Sequence, residues 1–333
     1  MTKESSDIVA GGLTRTIVTG GDAGYFHLVE ELVRSIRLFR SAEALPVAVI
    51  DRGLTPAQRM KLVDAYGVRM LDVEWEYDFP AHRIRGRQHL KAQISRAFLD
   101  RHLPEFDLIL WIDADAWVQD FAGVDLLFSA ASTGKLAIVC QASRYSQQVV
   151  RVRWAAFGFA EVRSILYKNA RKARVPERDA RRIGLRPTLN SGVFALRRDA
   201  PHWEAFRRRQ AQVIRAGADI FSSDQLALAM AVYLDDLPID LLPDSCNYMG
   251  PWKASDDGEW LVEHYSPHQP ISIVHMAARP DQRANPPTPI DIPLVSGGSV
   301  SNTIRQFSWE RACSERAGKD ALPGIVEVSR TPA

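Results

Sequence analysis

Two carboxylates, two positions apart, end an apolar run in the segment LILWIDADAW at residues 108–117. Side chains alternate along a strand, so Asp113 and Asp115 are expected on the same side where the strand meets solvent. Two negative charges at that spacing repel each other unless a cation or another positive group offsets them. Carboxylate oxygens favour a hard divalent ion, and such an ion also binds phosphate oxygens. The pair therefore predicts a metal site at the end of a buried strand, in an enzyme that handles a phosphorylated ligand.

Other polar groups border predicted elements further along the chain. Asn190, in the sequence NSG, precedes the strand VFAL and offers both a donor and an acceptor, although NSG is also typical of a turn. Asp224 and Gln225 begin a predicted helix. They are expected to face a polar substrate there; the alternative is that Gln225 forms a capping box with Ser222. His275 ends the apolar run ISIVHM, as a structural histidine or as a third ligand for a transition-type ion such as Mn²⁺. The alternative for the acidic pair is a solvated strand end.

The first half of the chain alternates strand and helix patterns that would position these groups. Apolar runs predict strands at residues 14–19, 46–51, 68–73, 108–113 and 135–141. Helices are predicted at residues 25–40, 56–66 and 88–102, the second with Thr55 as its N-cap, Pro56 in its first position and Gly67 after its end. This alternation predicts an α/β fold with a Rossmann-like, mostly parallel sheet and helices on both faces. Ligands of such sheets bind beyond the carboxyl ends of the strands, a rule that includes Asp22 after the first strand.

The second half is less regular. It predicts strands at residues 193–196, 239–242 and 271–276 and helices at residues 201–215 and 223–234. Residues 144–186 hold twelve basic residues against three acidic ones. This basic segment predicts contact with an anionic acceptor, a diphosphate or a membrane surface, with a solvated helical face or a subunit contact as the alternative. Its aromatic residues lack a spacing suited to single strands, so nucleic acid is not an expected partner.

The composition of the chain limits its expected partners and cellular location. The chain has 333 residues, 46% of them hydrophobic, and a net charge of only +2, which gives no global attraction to nucleic acid or membranes. Three distant cysteines favour a reducing cytoplasm over a disulfide framework, and no apolar run approaches the ~20 residues of a membrane span. Residues 1–12 lack the apolar core of a signal peptide, so a soluble cytoplasmic protein is expected. We divide the chain into a flexible tail (1–13), one domain (14–280) and a C-terminal extension (281–333). The chain beyond Arg279 is rich in Pro, Gly and Ser, with a short helix at 308–316, and is expected to pack poorly or to depend on a partner.

Taken in order, these motifs resemble the GT-A fold nucleotide-sugar glycosyltransferases, in particular glycosyltransferase family 8, the glycogenin and bacterial lipopolysaccharide galactosyltransferase group. The resemblance covers about residues 14–280. It rests on the segments TGGDAGY, HLKAQISRAFL, LILWIDADAWV, LNSGVFAL, SSDQLALA, LLPDSCNY and IVHM. The resemblance implies a GT-A fold and transfer of a sugar from a nucleotide-diphosphate sugar, by this resemblance a UDP-sugar, with retention at the anomeric carbon. The acceptor would be a glycan, a lipid-linked molecule or a small molecule.

The resemblance also implies roles for individual residues. Asp113, Asp115 and His275 would hold Mn²⁺ or Mg²⁺ against the diphosphate. Contacts with the nucleotide and the donor would fall on Thr19, Asp22, Tyr25, Lys91 and Asn247. Contacts near the sugar and its anomeric carbon would fall on Asn190, Asp224 and Gln225.

One family motif is missing. A Gly-x-Lys-Pro-Trp type sequence is expected soon after the histidine, and this chain has Met276-Ala-Ala-Arg279-Pro280 there instead. Arg279 is the candidate to replace the lysine that contacts the diphosphate. The glycine-rich first loop leaves the identity of the nucleotide open.

Two functions of other classes compete with this interpretation. A phosphatase of the haloacid dehalogenase type also places Asp-x-Asp after an apolar strand and uses the first carboxylate as its nucleophile. That motif follows the first strand of its fold, whereas several predicted strands precede Asp113 here. The second alternative is a protein that binds a nucleotide sugar without catalysis.

Overall fold

The computed structural model describes residues 12–78, 82, 84, 86–87, 90–141, 150–154, 158, 160–217, 220 and 223–309. The strands in this part of the chain are β1 Arg15–Gly21, β2 Val47–Asp51, β3 Arg69–Asp72, β4 Leu108–Ile112, β5 Ala116–Val118, β6 Leu136–Cys140, β7 Val150–Trp154, β8 Ala160–Ser164, β9 Leu189–Arg197, β10 Ile239–Leu241, β11 Trp252–Ala254, β12 Leu261–Glu263, β13 Ile273–His275, β14 Ile290–Pro293 and β15 Ser299–Asn302. The helices are α1 Phe26–Arg37, α2 Pro56–Tyr66, α3 Leu90–Ser95, α4 Leu99–His102, α5 Ala122–Ser132, α6 Ile165–Lys172, α7 Glu177–Gly184, α8 His202–Arg215, α9 Ser223–Tyr233 and α10 Pro280–Arg283.

A seven-stranded sheet in the order β10-β6-β9-β4-β1-β2-β3 forms the centre of the fold. The pairs β1–β2, β1–β4, β2–β3 and β10–β6 are parallel, and only β9 runs antiparallel to its two neighbours. The sheet is therefore mixed and mostly parallel. The predicted α/β fold class is confirmed.

Apolar side chains cover both faces of this sheet. Alternation along β4 sends Leu108, Leu110 and Ile112 into a cluster with α1 and α5, while Ile109 and Trp111 join a second cluster with α3, α8 and α9. A strand buried on both faces needs a continuous apolar run, which is why LILWI shows no polar alternation. Helices on both faces were predicted and are observed.

Local signals in the sequence set several boundaries. Helix α2 begins after Thr55, whose side chain accepts a hydrogen bond from the backbone of Gln58 in a capping box, and ends at Gly67 with a left-handed φ of 62°. The helix predicted at 88–102 is observed as α3 and α4 joined by a 3₁₀ helix at Arg96–Phe98, and residues 88 and 89 lie outside the described part. The capping box predicted at Ser222 also lies outside it.

The basic segment is described only in part. Its helices α6 and α7 bury Leu166, Ala170, Ala180 and Ile183 in a cluster shared with α9. Among its charges, Glu177 pairs with Arg171 and Arg181. Contact of this segment with an acceptor or a membrane stays a prediction. No helix in the described ranges combines the length and the apolar character needed to cross a bilayer.

The expectation that the chain packs poorly after Arg279 is wrong for residues 280–309. Strands β14 and β15 pair with each other, and Ile292, Ile304 and Trp309 are buried in the core cluster on the α1 face of the sheet. Apolar residues are sparse in this segment, but those few are placed where they fill the core. The helix predicted at 308–316 lies mostly outside the described residues, and the division of the chain into domains stays a prediction.

Candidate active site

The candidate site lies where the carboxyl ends of β1 and β4 meet the first half of β9. Because β9 is antiparallel to β4, its residues 189–193 lie beside the end of β4. The backbone N–H of Asp113 donates to the carbonyl of Gly192 at 2.7 Å, and that of Met276 donates to the carbonyl of Asp115 at 2.8 Å. The Asp113–Asp115 turn is thus fixed between β9 and the end of β13.

Three predicted metal ligands come together at this turn. One ligand atom each from Asp113, Asp115 and His275 lie within 4.8 Å of one another. His275 is 3% exposed, and its Nε2 lies 3.3 Å from Oδ1 of Asp115. Its Nδ1–H donates to Oδ1 of Asn247 at 2.7 Å. That bond places the proton of the neutral ring on Nδ1 and leaves the Nε2 lone pair facing the carboxylates, which is the tautomer that binds a metal ion.

The ionisation of the three groups reflects their closeness. Burial acts to lower the pKa of His275, but the carboxylates of Asp115 and Asp113 together outweigh burial, and the pKa lies above its ordinary value. Burial raises the pKa of Asp113, and the arginine beside it only partly offsets that rise. Burial also acts to raise the pKa of Asp115, but the neighbouring imidazole reverses the effect and holds it below its usual range. The carboxylates of Asp113 and Asp115 also repel each other. A cation that both acids and the imidazole share would relieve the repulsion between the two carboxylates.

Gly192 makes room for the three ligands. A Cβ atom at this position would lie 2.5 Å from Cε1 of His275 and 2.9 Å from Oδ2 of Asp113. Carbon atoms in ordinary contact are about 3.5–4.0 Å apart. A glycine at 192 is therefore required by close packing against the ligands.

The acidic pair also contacts two arginines. Arg96 donates through Nη2 to Oδ1 of Asp113 and lies over the ring of Trp111, 4.5 Å from its centroid. Arg283 Nη1 lies 3.3 Å from Oδ2 of Asp115. Oδ2 of Asp113 stays on the Gly192 side, towards the imidazole. Oxygen and nitrogen ligands at about 2.1 Å from one ion lie at most about 4.2 Å apart, so only small side-chain shifts would let the three groups share an ion. Two carboxylates and one imidazole are a donor set that suits Mn²⁺.

A cavity of about 380 Å³ opens next to these ligands. Its described wall includes four carboxylates, those of Asp22, Asp113, Asp115 and Asp224, and three guanidinium groups, those of Arg52, Arg96 and Arg283. Burial lowers the pKa of Arg52 to about 10, which leaves this guanidinium group charged at neutral pH. The acids exceed the arginines by one. A bound divalent ion would turn this small negative excess into a positive one that attracts an anion such as a diphosphate.

The residues predicted near a sugar line the same cavity. Asp224 is 2% exposed and accepts hydrogen bonds from Nη1 of Arg96 at 2.6 Å and from Oγ of Ser191 at 3.1 Å. Asn190 and Gln225 also line the wall, and Oδ1 of Asn190 accepts from the backbone of Gly192 at 2.8 Å. Arg96 therefore joins Asp224 to Asp113 and connects the two halves of the site.

Sequence reasoning missed Arg96. A signal for it exists, because Gln93 and Arg96 are polar residues three positions apart in the segment LKAQISRAFL, and both line the cavity. Arg52 was missed as well, since it only becomes part of the site through the pairing of β1 with β2.

Among the residues predicted to contact the nucleotide, Asp22 and Tyr25 line the cavity and Tyr25 is exposed. Thr19 is fully buried in β1. Lys91 lies outside the described wall, with Nζ 3.3 Å from the carbonyl of Val73. Asn247 contacts His275 instead of the cavity.

Arg279 is also outside the described wall. Its guanidinium donates to Asp281 at 2.9 and 2.5 Å and lies over the ring of Trp252. The arginine of this turn that reaches the cavity is Arg283, four residues later. The helical turn α10 separates the two side chains and sends them to different places.

Comparisons by sequence found no relative: no family model and no curated protein matches this chain. Solved structures do match, among them three glycosyltransferases. The galactosyltransferase LgtC, in complex with donor and acceptor sugar analogs, matches at 14% identity and a TM-score of 0.49, over 93% of this chain and 98% of LgtC. Mouse xyloside xylosyltransferase 1 matches at 12% identity and a TM-score of 0.48, over 79% of this chain and 98% of that protein.

The third match is the bifunctional glycosyltransferase WbbM, at 13% identity and a TM-score of 0.49 over 81% of this chain. The chain spans about half, 47%, of the WbbM chain. The chemistry of the site has to be inferred from the side chains of this chain.

Proposed function

We propose that this protein is a metal-dependent glycosyltransferase that moves a sugar from a nucleotide-diphosphate sugar, a UDP-sugar by sequence resemblance, to an acceptor hydroxyl. One observation carries the proposal: Asp113, Asp115 and His275 place their ligand atoms within 4.8 Å of one another beside a cavity that Asp224 and Gln225 also line. A cation site and a separate polar wall are what a diphosphate and a sugar would need.

In this reaction the bond between the sugar and the β-phosphate breaks, and negative charge grows on the leaving nucleoside diphosphate. A divalent ion held by the two aspartates and His275 would act as a Lewis acid towards that charge. Arg96 and Arg283 add fixed positive charge on the same wall. Each such well-placed donor is worth a few kcal/mol in the transition state.

Asp224, Gln225 and Asn190, which line the same cavity, would serve the sugar. Asp224 cannot turn away, because Arg96 and Ser191 hold its carboxylate. A fixed carboxylate stabilises the positive charge that develops at the anomeric carbon, and Gln225 and Asn190 offer hydrogen bonds to sugar hydroxyls. Retention at the anomeric carbon, and a cytoplasmic location, are part of the proposal by resemblance alone.

The test is release of nucleoside diphosphate from a panel of UDP-, GDP- and ADP-sugars with MnCl₂, with and without EDTA. The proposal expects release from at least one donor, loss of release with EDTA, and loss in Asp115→Asn. Asp240→Asn is the control, because this acid lies on β10, outside the described wall, in an exposed pair with Lys135. Absence of release from every donor, together with absence of nucleotide binding, would refute the proposal.

The same assay separates the alternatives. Phosphate release from a simple phosphomonoester would indicate a phosphatase. The acidic pair follows β4 and not the first strand of the fold, which disfavours that function. Binding of UDP with Mn²⁺ but no turnover of any donor would indicate a binding protein.

A further inference from the structure

Arg283 occupies an unusual position at the edge of the cavity. Its Nη1 lies 3.3 Å from Asp115, while its Nε is buried without a hydrogen-bond partner. A buried N–H without a partner is costly, so its presence in a cavity wall indicates a place for an acceptor atom of a ligand. Arg283 also borders a second, more open depression of about 440 Å³ next to His27 and Gln58.

The backbone that carries Arg283 is held at three successive carbonyls. Arg305 donates through Nη1 to the carbonyls of Gln282 at 3.2 Å and Ala284 at 2.8 Å. His27 donates through Nε2 to the carbonyl of Arg283 itself at 3.0 Å. The Gln282 side chain in turn accepts from the backbone of Ile304 at 3.0 Å. The turn at 282–284 is therefore tied to α1 and to the segment that follows β15.

Arg305 is itself anchored. It is 1% exposed, and its Nε donates to Oε2 of Glu31 on α1 at 2.8 Å, with a second bond from Nη2 to Oε1. A guanidinium group that is bidentate to one carboxylate and also bonded to two carbonyls has little freedom to move. A lysine has one nitrogen and could not make all of these bonds.

We propose that Arg305, through this network, is a positioning residue that holds Arg283 at the boundary between the metal ligands and the diphosphate of the donor. The inference rests on the proposed function and deepens it. Without an ion, Arg283 neutralises Asp115. If a divalent ion were bound by that carboxylate, like charges would repel and the guanidinium group would be available to phosphate oxygens. The segment after β15 is thereby part of the machinery that binds the donor.

This arrangement predicts effects of opposite sign on two ligands. Arg283→Gln removes a positive charge next to Asp115, so Mn²⁺ alone should bind about tenfold more tightly. The same change removes charge-assisted hydrogen bonds, so UDP with saturating Mn²⁺ should bind about 10- to 100-fold more weakly. Damage to the fold would weaken both ligands. Both affinities are measured by isothermal titration, with pyrophosphate as a second anionic probe.

Arg305→Lys should reproduce part of both effects, with UDP about three- to tenfold weaker, and it should add nothing in the Arg283→Gln background. His27→Leu, which frees the carbonyl of Arg283, is the second variant if Arg305→Lys does not fold. Arg209→Lys is the matched control, since this arginine makes a similar bidentate pair with Asp235 outside the described wall.

The outcomes separate the two proposals. Independent, additive effects of Arg305→Lys and Arg283→Gln would overturn the positioning role, as would an unchanged affinity for both ligands in Arg283→Gln. A loss in Arg279→Gln with none in Arg283→Gln would overturn the assignment of the arginine. If wild type binds Mn²⁺ but no nucleotide, the proposed function fails, and the Mn²⁺ and pyrophosphate titrations still decide whether Arg305 acts through Arg283.

Discussion

Substituting Gly192 by alanine perturbs the metal ligands without removing any of them. The new Cβ would lie 2.5 Å from Cε1 of His275 and 2.9 Å from both Oδ1 of Asn190 and Oδ2 of Asp113. Since carbon atoms in contact prefer about 3.5–4.0 Å, the imidazole would have to move by about 1 Å. It cannot do so freely, because β13 fixes its backbone and Asn247 holds its Nδ1.

The size of the effect follows from that displacement. Metal–ligand distances tolerate about 0.2 Å, so a shift of about 1 Å takes the imidazole out of coordination range. We expect Mn²⁺ affinity to fall at least about 10- to 100-fold, the loss seen when groups that orient ligands are removed. Overpacking should also lower the free energy of unfolding by about 1–3 kcal/mol.

The assay is Mn²⁺ titration by electron paramagnetic resonance, with urea unfolding in parallel. Gly184→Ala is the control, because its Cβ would press on the side chain of Tyr167, at 3.1 Å, away from the cavity. That control should leave Mn²⁺ affinity unchanged. Wild-type Mn²⁺ affinity in Gly192→Ala would refute the reasoning, since it would mean that the ion does not bind between these ligands.

Three further predictions concern groups around the site and in the core. Asn247→Leu removes the acceptor that fixes the tautomer of His275, so Mn²⁺ should bind about 10- to 100-fold more weakly, and an unchanged isotherm would contradict that role. Arg96→Gln leaves the buried carboxylate of Asp224 without its ion-pair partner and should lower the free energy of unfolding in urea by about 3–5 kcal/mol, whereas a loss below about 1 kcal/mol would argue against the pair. Burial lowers the pKa of His202, so the unfolded chain takes up this proton first and stability should fall below pH 6.5, by at most about 1.4 kcal/mol per pH unit. Urea unfolding midpoints measured between pH 5 and 7.5 test this prediction, because His202→Gln should flatten their dependence on pH. A pH dependence that the substitution leaves unchanged would disprove the prediction.

The parts of the site that follow from the sequence are those that local patterns determine. Asp113 follows an apolar strand of the central sheet, and the carboxyl ends of its parallel strands meet at one edge, so the place of Asp113 follows from the predicted topology. His275 reaches the site in another way, because β13 lies outside this sheet and pairs antiparallel with β5, the strand that follows Asp115. The fold class follows from the same alternation of strands and helices.

The arginines could not be assigned in this way. Whether Arg279 or Arg283 reaches the cavity depends on the direction of one helical turn. The carbonyls of that turn accept hydrogen bonds from Arg305, which lies in a segment whose composition indicated poor packing. Arg96 lies on a helix whose packing face only the tertiary structure defines. The close approach at Gly192 likewise requires β9 to be antiparallel between β4 and β6, which no local pattern specified.

The most direct measurement is anomalous diffraction from crystals soaked with MnCl₂ and UDP. The account predicts one strong manganese peak in contact with Asp113, Asp115 and His275, with diphosphate density on its cavity side. A peak bound elsewhere, or none while Arg96 and Arg283 keep their bonds to the two aspartates, would contradict it.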